Sequence, residues 1–449
     1  MFFTSSILFG LIRLAIAAND DLNFANYDTP DRGFLYQPQI THNWGHLSPF
    51  YSVPSDINPS SDLPGCTVTF AQSLSRHGAR YPRLDQEYGA MIDRIQSSVV
   101  EYGRGYEFLR DYKHNVLKGN LNSLGHHESI NAGKHFYRRY HNLARNNDPF
   151  IRYDASERVV ESGVGWAQGF HLAALADKTR VVPDSFPYKT LKMPSGKGLN
   201  NTLGRKECPK DIYSKSKTTV DKFQAKFLTG IADRLNRNLP GANLSVKDAF
   251  DLMDLCTMET AATVLKTGVL SPVCGLFEEK DWKVFNQYHN AVKWHTCSYG
   301  NPFGPTLGVG WVNELIARLL QKPVVDHTST NRTLTSNPAT FPLKNKLYAD
   351  FTHATSFLTI YSALGLLGST PTPVPTNRVV SAVSPFAARM YVEKMTCSGQ
   401  REELVRILVN HRVMRLPNCG ADAEGRCKLS AFVESLSFAR SGGHWDKCY

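Results

Sequence analysis

Four stretches of the chain carry the alternating or compact apolar pattern of β-strands. They cover 66–74, 150–154, 347–351 and 404–410. Apolar residues at helical spacing predict helices over 86–100, 128–145, 164–173, 309–320 and 356–367. The stretch 217–290 reads as mostly helical, with Val220, Phe223, Phe227, Ile231 and Leu235 along one stripe. A polar lead-in up to about residue 65, the segment 183–215 and a proline-rich linker at 370–375 read as irregular. No internal repeat or low-complexity tract interrupts this order. Strands alternating with helices around a helix-rich middle predict an α/β core with a helical insertion.

Composition narrows the picture. The chain has 449 residues, 42% of them apolar and 11% aromatic, enough for one large two-part domain. A formal charge of +11 favours an anionic partner. The basic residues are spread along the chain rather than blocked, which argues against nucleic acid and for a small phosphorylated substrate. Residues 1–18 form a short apolar run ending in small residues, read as a secretory signal cleaved near Ala17 or Ala18. That run is too short to span a membrane, and no other apolar run approaches membrane length. Sequons at Asn200, Asn243 and Asn331 agree with export, so the chain is expected to be secreted and glycosylated.

Nine cysteines in an exported chain predict disulfides and leave one thiol over. No CxxC pair supports a zinc site, and their connectivity is not readable from spacing. Adjacent histidines in His126-His127-Glu128 cannot readily face one ion from a helix start, so neither metal nor cofactor is expected.

The candidate chemistry lies in Arg76-His77-Gly78-Ala79-Arg80-Tyr81-Pro82, directly after the first predicted strand. Two fixed positive charges suit an imidazole poorly as a general base. They suit it well as the attacker of an anion that the guanidiniums hold. The strand before it puts His77 at a carboxyl end, where α/β folds gather ligands. A strand near residue 350 also ends in a histidine, His353.

With these two segments the chain resembles the histidine acid phosphatases, most of all the secreted fungal phytases. Similar segments include Gly300-Asn301-Pro302-Phe303-Gly304-Pro305, Ser336-Asn337-Pro338-Ala339-Thr340-Phe341-Pro342 and Leu436-Ser437-Phe438-Ala439-Arg440-Ser441-Gly442-Gly443. The resemblance implies a phosphoglycerate mutase-like α/β sandwich with an inserted helical subdomain and a cleft between them. The core is expected over about 19–85, 148–180 and 290–449, the helical part over about 86–147 and 181–289. It makes His77 the nucleophile, Arg76, Arg80 and Arg152 the phosphate-binding arginines, and His353 a second active-site histidine donating to the phosphate. Arg158 is read as structural. It also implies the pairs Cys66–Cys397, Cys208–Cys448, Cys256–Cys274 and Cys419–Cys427, with Cys297 left as a buried thiol. A monomer acting on phosphate monoesters is expected.

One departure weighs on this expectation. Fungal phytases carry an aspartate after the second histidine, the acid that protonates the departing alkoxide; here Ala354 and Thr355 follow. A relative in the wider family reads His-Ala-Glu, but Thr355 supplies no such carboxyl. General acid catalysis contributes about 10²–10⁴-fold. Asp350 lies within the strand and is not expected to reach the same place. A second departure is Arg83-Leu84-Asp85-Gln86-Glu87-Tyr88, acidic where phytases that prefer phytate usually carry lysines. The alternative to an enzyme is a secreted protein that binds phosphate or inositol phosphates with little turnover.

Overall fold

The computed structural model describes residues 27–448 except 83–84, 115–119, 184–185, 197, 205–207, 209–211, 368–379 and 417. The expected signal segment and the proline-rich linker lie outside the described residues. Among these residues an eight-stranded mixed sheet is formed by β1 (Cys66–Arg76), β2 (Phe150–Tyr153), β3 (Lys189–Lys192), β4 (Leu347–Thr352), β5 (Arg389–Cys397), β6 (Leu404–Val409), β7 (Arg412–Val413) and β8 (Cys427–Lys428). The spatial order is β8-β6-β5-β1-β4-β2-β3, with β7 paired to β6. β1, β4, β2 and β3 run parallel, and β5 turns the sheet antiparallel beside β1.

The long helices are α1 (Asp85–Ser98), α2 (Ser123–Arg139), α3 (Glu157–Ala176), α4 (Ile212–Asn238), α5 (Val246–Thr267), α6 (Glu279–Cys297), α7 (Val309–Leu320) and α8 (Ala354–Ala363). Side-chain alternation along β4 explains how they sort. Leu347, Ala349 and Phe351 face α2 and α3, where they meet Phe136, Trp166 and Phe170. Tyr348 faces the other way, into a core with Trp311 and Leu315 of α7 and Phe357 and Tyr361 of α8. A third core joins α1, α4, α5 and α6 through Ile95, Leu235, Leu252, Leu255, Trp282 and Phe285. The result is an α/β sandwich with a helical layer beside it, as the alternation of elements implied.

Three elements differ from expectation. The helix expected over 128–145 begins at Ser123 and lies on the sheet against α3, because Phe136, Tyr137 and Tyr140 bury there rather than in the helical layer. β3 sits inside the segment read as loop; it is an edge strand with exposed lysines, and edge strands need no apolar alternation. β5 carries no alternating signal because Arg389, Glu393 and Lys394 are buried within it. Glu393 receives Arg139 at 2.6 Å and Arg406 at 2.7 Å, which makes its burial tolerable. The four disulfides carry the pairs that the resemblance implied, and Cys297 is a buried free thiol.

Candidate active site

The carboxyl ends of three parallel strands stop level with one another. Arg76 pairs with Thr352 across β1 and β4, and Tyr153 pairs with Phe351 across β2 and β4. The next residue of each strand therefore arrives at the same edge: His77, His353 and Asp154. The ladder continues one step further, His77 N–H reaching Thr352 O at 3.1 Å and Asp154 N–H reaching Phe351 O at 3.2 Å. A cleft of about 1020 Å³ opens above them, lined by Arg76, His77, Arg80, Asp154, Arg158, Lys293, His353, Ala354 and Thr355, with others.

After His77 the chain turns hard against the start of α2. A side chain on Gly78 would place its Cβ 2.4 Å from Gly125 O, so only glycine permits this approach. The Gly78 N–H donates to Ser162 Oγ of α3 at 3.0 Å, and the Ala79 N–H to Glu128 Oε2 at 2.8 Å. Glu128 also accepts the Phe50 N–H at 2.8 Å. The carboxylate of His126-His127-Glu128 is thus spent on fixing the turn.

That turn decides the protonation of His77. Its Nδ1 lies 2.9 Å from Gly78 O, and a carbonyl can only accept, so Nδ1 carries the hydrogen and Nε2 the lone pair. Burial, then the charges of Arg76, His353, Arg158 and Arg80, hold the imidazole well below its ordinary pKa. Both causes favour the neutral ring. That is the form in which an imidazole attacks phosphorus.

The arginines are held unequally. Arg76 is buried, donates from Nη1 to Ser384 O at 2.9 Å and to His46 O, and lies 4.5 Å over the Phe386 ring. Arg80 donates to Tyr81 O at 2.7 Å. Arg152 does not line the cleft. Strand alternation turns it to the α7 side of the sheet, where Nη2 meets Asp350 Oδ2 at 2.7 Å and Glu314 Oε2 at 2.8 Å. Asp350 also receives Arg318 at 3.0 Å and the Trp311 ring N–H at 2.9 Å. Burial by itself would raise the Asp350 carboxyl, but Arg152 and Arg318 outweigh it and hold it low. The expected phosphate role of Arg152 is therefore corrected: it closes a buried ionic network.

Arg158, read as structural, is the third arginine of the cleft. It stands in the first turn of α3, with Nη2 3.3 Å from His353 Nδ1. Its signal was available, since a helix start just past a parallel strand points at the ligand edge.

Asp154 also went unnoticed in the sequence. Its Oδ2 lies 2.8 Å from His353 Nε2 and accepts Ser156 Oγ–H at 2.7 Å, while Oδ1 accepts Asn201 Nδ2–H at 3.0 Å. Ala354 opens α8 with His353 as its N-cap, so the positive end of that helix abuts the cleft.

The family model described as histidine phosphatase superfamily (branch 2) matches residues 67–410. The chain belongs to that superfamily. Among curated proteins, it is 41% identical over 437 residues to the Phytase A of Aspergillus oryzae, covering 94% of this chain and 93% of that one. To the Phytase A of Aspergillus fumigatus it is 40% identical over 447 residues, 96% of both chains. The histidine phosphatase fold is matched by the crystal structure of the phytase from D. castellii, with a TM-score of 0.70 at 21% identity over 91% of this chain and 87% of that one. A Bifidobacterium longum multiple inositol polyphosphate phosphatase in complex with inositol hexasulfate matches with a TM-score of 0.62 at 14% identity, covering 88% and 97%. The chain is a phosphoric monoester hydrolase by class.

Proposed function

We propose that this histidine phosphatase is a secreted acid phosphatase of the phytase type, acting on phosphate monoesters through a phosphohistidine on His77. The observation that carries the reading is the neutral His77, its Nε2 unprotonated, in a cleft lined by Arg76, Arg80, Arg158 and Lys293. Phosphoryl transfer is mostly positioning and charge stabilisation, and three guanidiniums around an attacking imidazole supply both.

Inositol phosphates are the substrate class we favour. A cleft of about 1020 Å³ holds far more than one phosphate group, and its lysine and arginines suit several. The relatives named as phytases point the same way. Secretion is supported by the apolar first 18 residues, by four disulfides and by sequons at the exposed Asn200 and Asn243 and the half-buried Asn331. The enzyme is taken to act as a monomer, without metal or cofactor.

Ala354 favours a second reading, in which the cleft binds phosphorylated inositols without turning them over. Phosphate release from p-nitrophenyl phosphate and from phytate across acidic pH separates the two. Release that His77→Ala abolishes, with acid-labile phosphate trapped on the wild-type protein, is expected. Phosphate binding without release from either ester would establish the binding protein instead.

A further inference from the structure

Ala354 leaves the start of α8 without a carboxyl, yet the cleft does not lack one. Among the described residues that line it, Asp154 is the single carboxylic acid. It follows β2 directly and faces the histidine that follows β4, with Oδ2 2.8 Å from His353 Nε2. Both its oxygens are fixed, one by Ser156 Oγ–H at 2.7 Å and the other by Asn201 Nδ2–H at 3.0 Å. The carboxylate therefore cannot swing away from the imidazole. Ser156 Oγ also lies 3.0 Å from His353 Nε2.

We infer that His353 is the proton donor to the departing oxygen and that Asp154 is the positioning residue that aims it. This deepens the phosphohistidine reading and rests on it. A carboxylate facing Nε2 orients the ring with that nitrogen as donor; Nδ1 lies 3.3 Å from Arg158 Nη2 and accepts from it in the empty cleft, so it takes up a proton once substrate phosphate draws that guanidinium to itself. Substrate phosphate held by Arg158 then meets Nδ1.

In the first step His77 Nε2 forms a bond to phosphorus and the bond from phosphorus to the ester oxygen breaks. That oxygen keeps the electron pair and takes the Nδ1 proton, leaving as the alcohol, with His353 neutral. In the second step water loses a proton to His353 Nδ1 while its oxygen attacks phosphorus. The bond to His77 breaks and phosphate leaves, with His353 charged again.

The groups that face His353 set the pH range of this cycle. In the empty cleft burial, with Arg158 and Arg76 beside it, leaves His353 below its ordinary pKa, and the Asp154 carboxylate is the one neighbour among these that pulls it back up. Burial would raise the Asp154 carboxyl, but its bonds to His353 and Ser156 hold it below the ordinary carboxylate range. Asp154 is thus ionised in acid, where an uncharged neighbour would leave His353 with the arginines alone. A dianionic phosphate opposes those arginines and favours the imidazolium further.

The test compares full-length wild-type protein, Asp154→Asn and Asp154→Asn/Ala354→Asp on p-nitrophenyl phosphate and on glycerol 2-phosphate, with pH profiles for each. The aryl ester leaves without a proton and the alkyl ester cannot. Asp154→Asn is expected to lose about 10²-fold or more on the alkyl ester, the range of general acid catalysis. On the aryl ester the loss is expected to be at least tenfold smaller. The alkaline limb of alkyl kcat/KM, where His353 loses its proton, should move to lower pH, and Ala354→Asp should recover most of the lost alkyl rate. Equal losses on both esters, or no loss on either, would overturn the assignment. Wild-type protein that cleaves neither ester, or a His77→Ala variant that still cleaves them, would instead remove the phosphohistidine reading.

Discussion

Two arginines six residues apart show what a linear sequence withholds. Arg152 and Arg158 both lie in Ile151-Arg152-Tyr153-Asp154-Ala155-Ser156-Glu157-Arg158, and nothing local distinguishes an ionic partner from a phosphate ligand. The difference comes from where the strand ends. Arg152 is still inside β2 and alternation commits it to Asp350 and Glu314; Arg158 is past the strand and opens α3 at the cleft. His77 and His353 were legible because a strand pattern runs straight into each. Their roles should separate in measurement. Arg152→Met leaves Glu314 and Asp350 with a lost partner in the core, and breaking such a pair costs about 3–5 kcal/mol. Its urea midpoint should fall sharply, while the folded fraction keeps its KM. Arg158→Met should leave the midpoint nearly in place and lower kcat/KM about 10–100-fold, as loss of a charge-assisted hydrogen bond of about 1.5–3 kcal/mol requires. The inhibition constant of inorganic phosphate should rise with it. The opposite assignment of the two phenotypes would return Arg152 to the phosphate.

At the scale of elements, what the apolar pattern could reveal was decided by how each element is buried. The helix expected over 309–320 coincides with α7 because its faces divide cleanly. β5 escaped because a central strand with buried Glu393 and Arg389 hides its period, the Glu393 charge being matched by Arg139 and Arg406 on other elements. The packing of α2 on the sheet was also not readable, since it depends on a contact between the motif turn and the first turn of that helix. There a Cβ on Gly125 would stand 1.9 Å from Ala79 O and 2.7 Å from Ala79 N. Gly125→Ala must therefore push the turn away from α2, loosening the bonds from Gly78 and Ala79 to Ser162 and Glu128. Overpacking of this kind costs about 1–3 kcal/mol. We expect a lower melting temperature and a drop in kcat larger than the unfolded fraction explains, because His77 rides on that turn. Gly230→Ala in α4, with nothing within 4 Å of its added Cβ, is the comparison, expected to gain about 1 kcal/mol or less. Similar melting shifts in the two variants would mean that the turn is not under this constraint.

For the molecule as a whole, the buried ionisable groups pull in two directions as pH changes. Burial is the main cause that raises Asp28 from an ordinary 3.8 to about 7, against the lowering pull of Arg389 and of the Asn131 amide. Burial likewise raises Glu128 to about 7. A carboxyl raised on folding stabilises the folded state fully below its unfolded pKa, and that contribution is lost as pH climbs through the folded value. Between about pH 4 and pH 7 these two groups therefore favour acid. The buried His135, His289 and His411 are lowered, mainly by burial, and act the other way: their contribution is present above pH 6.5 and lost as pH falls. Wild-type stability alone cannot separate the two sets, so the informative quantity is the difference between wild type and Asp28→Asn. Asp28 accepts Asn131 Nδ2–H at 3.2 Å and bonds neither His77 nor its turn. Asparagine there cannot ionise, so its stability relative to wild type should improve from pH 4.5 to pH 7.5. At about 1.4 kcal/mol per pKa unit the limit is on the order of 3–4 kcal/mol. Urea midpoints at the two pH values read it directly. Parallel pH curves for the two proteins would mean that Asp28 is ionised when folded.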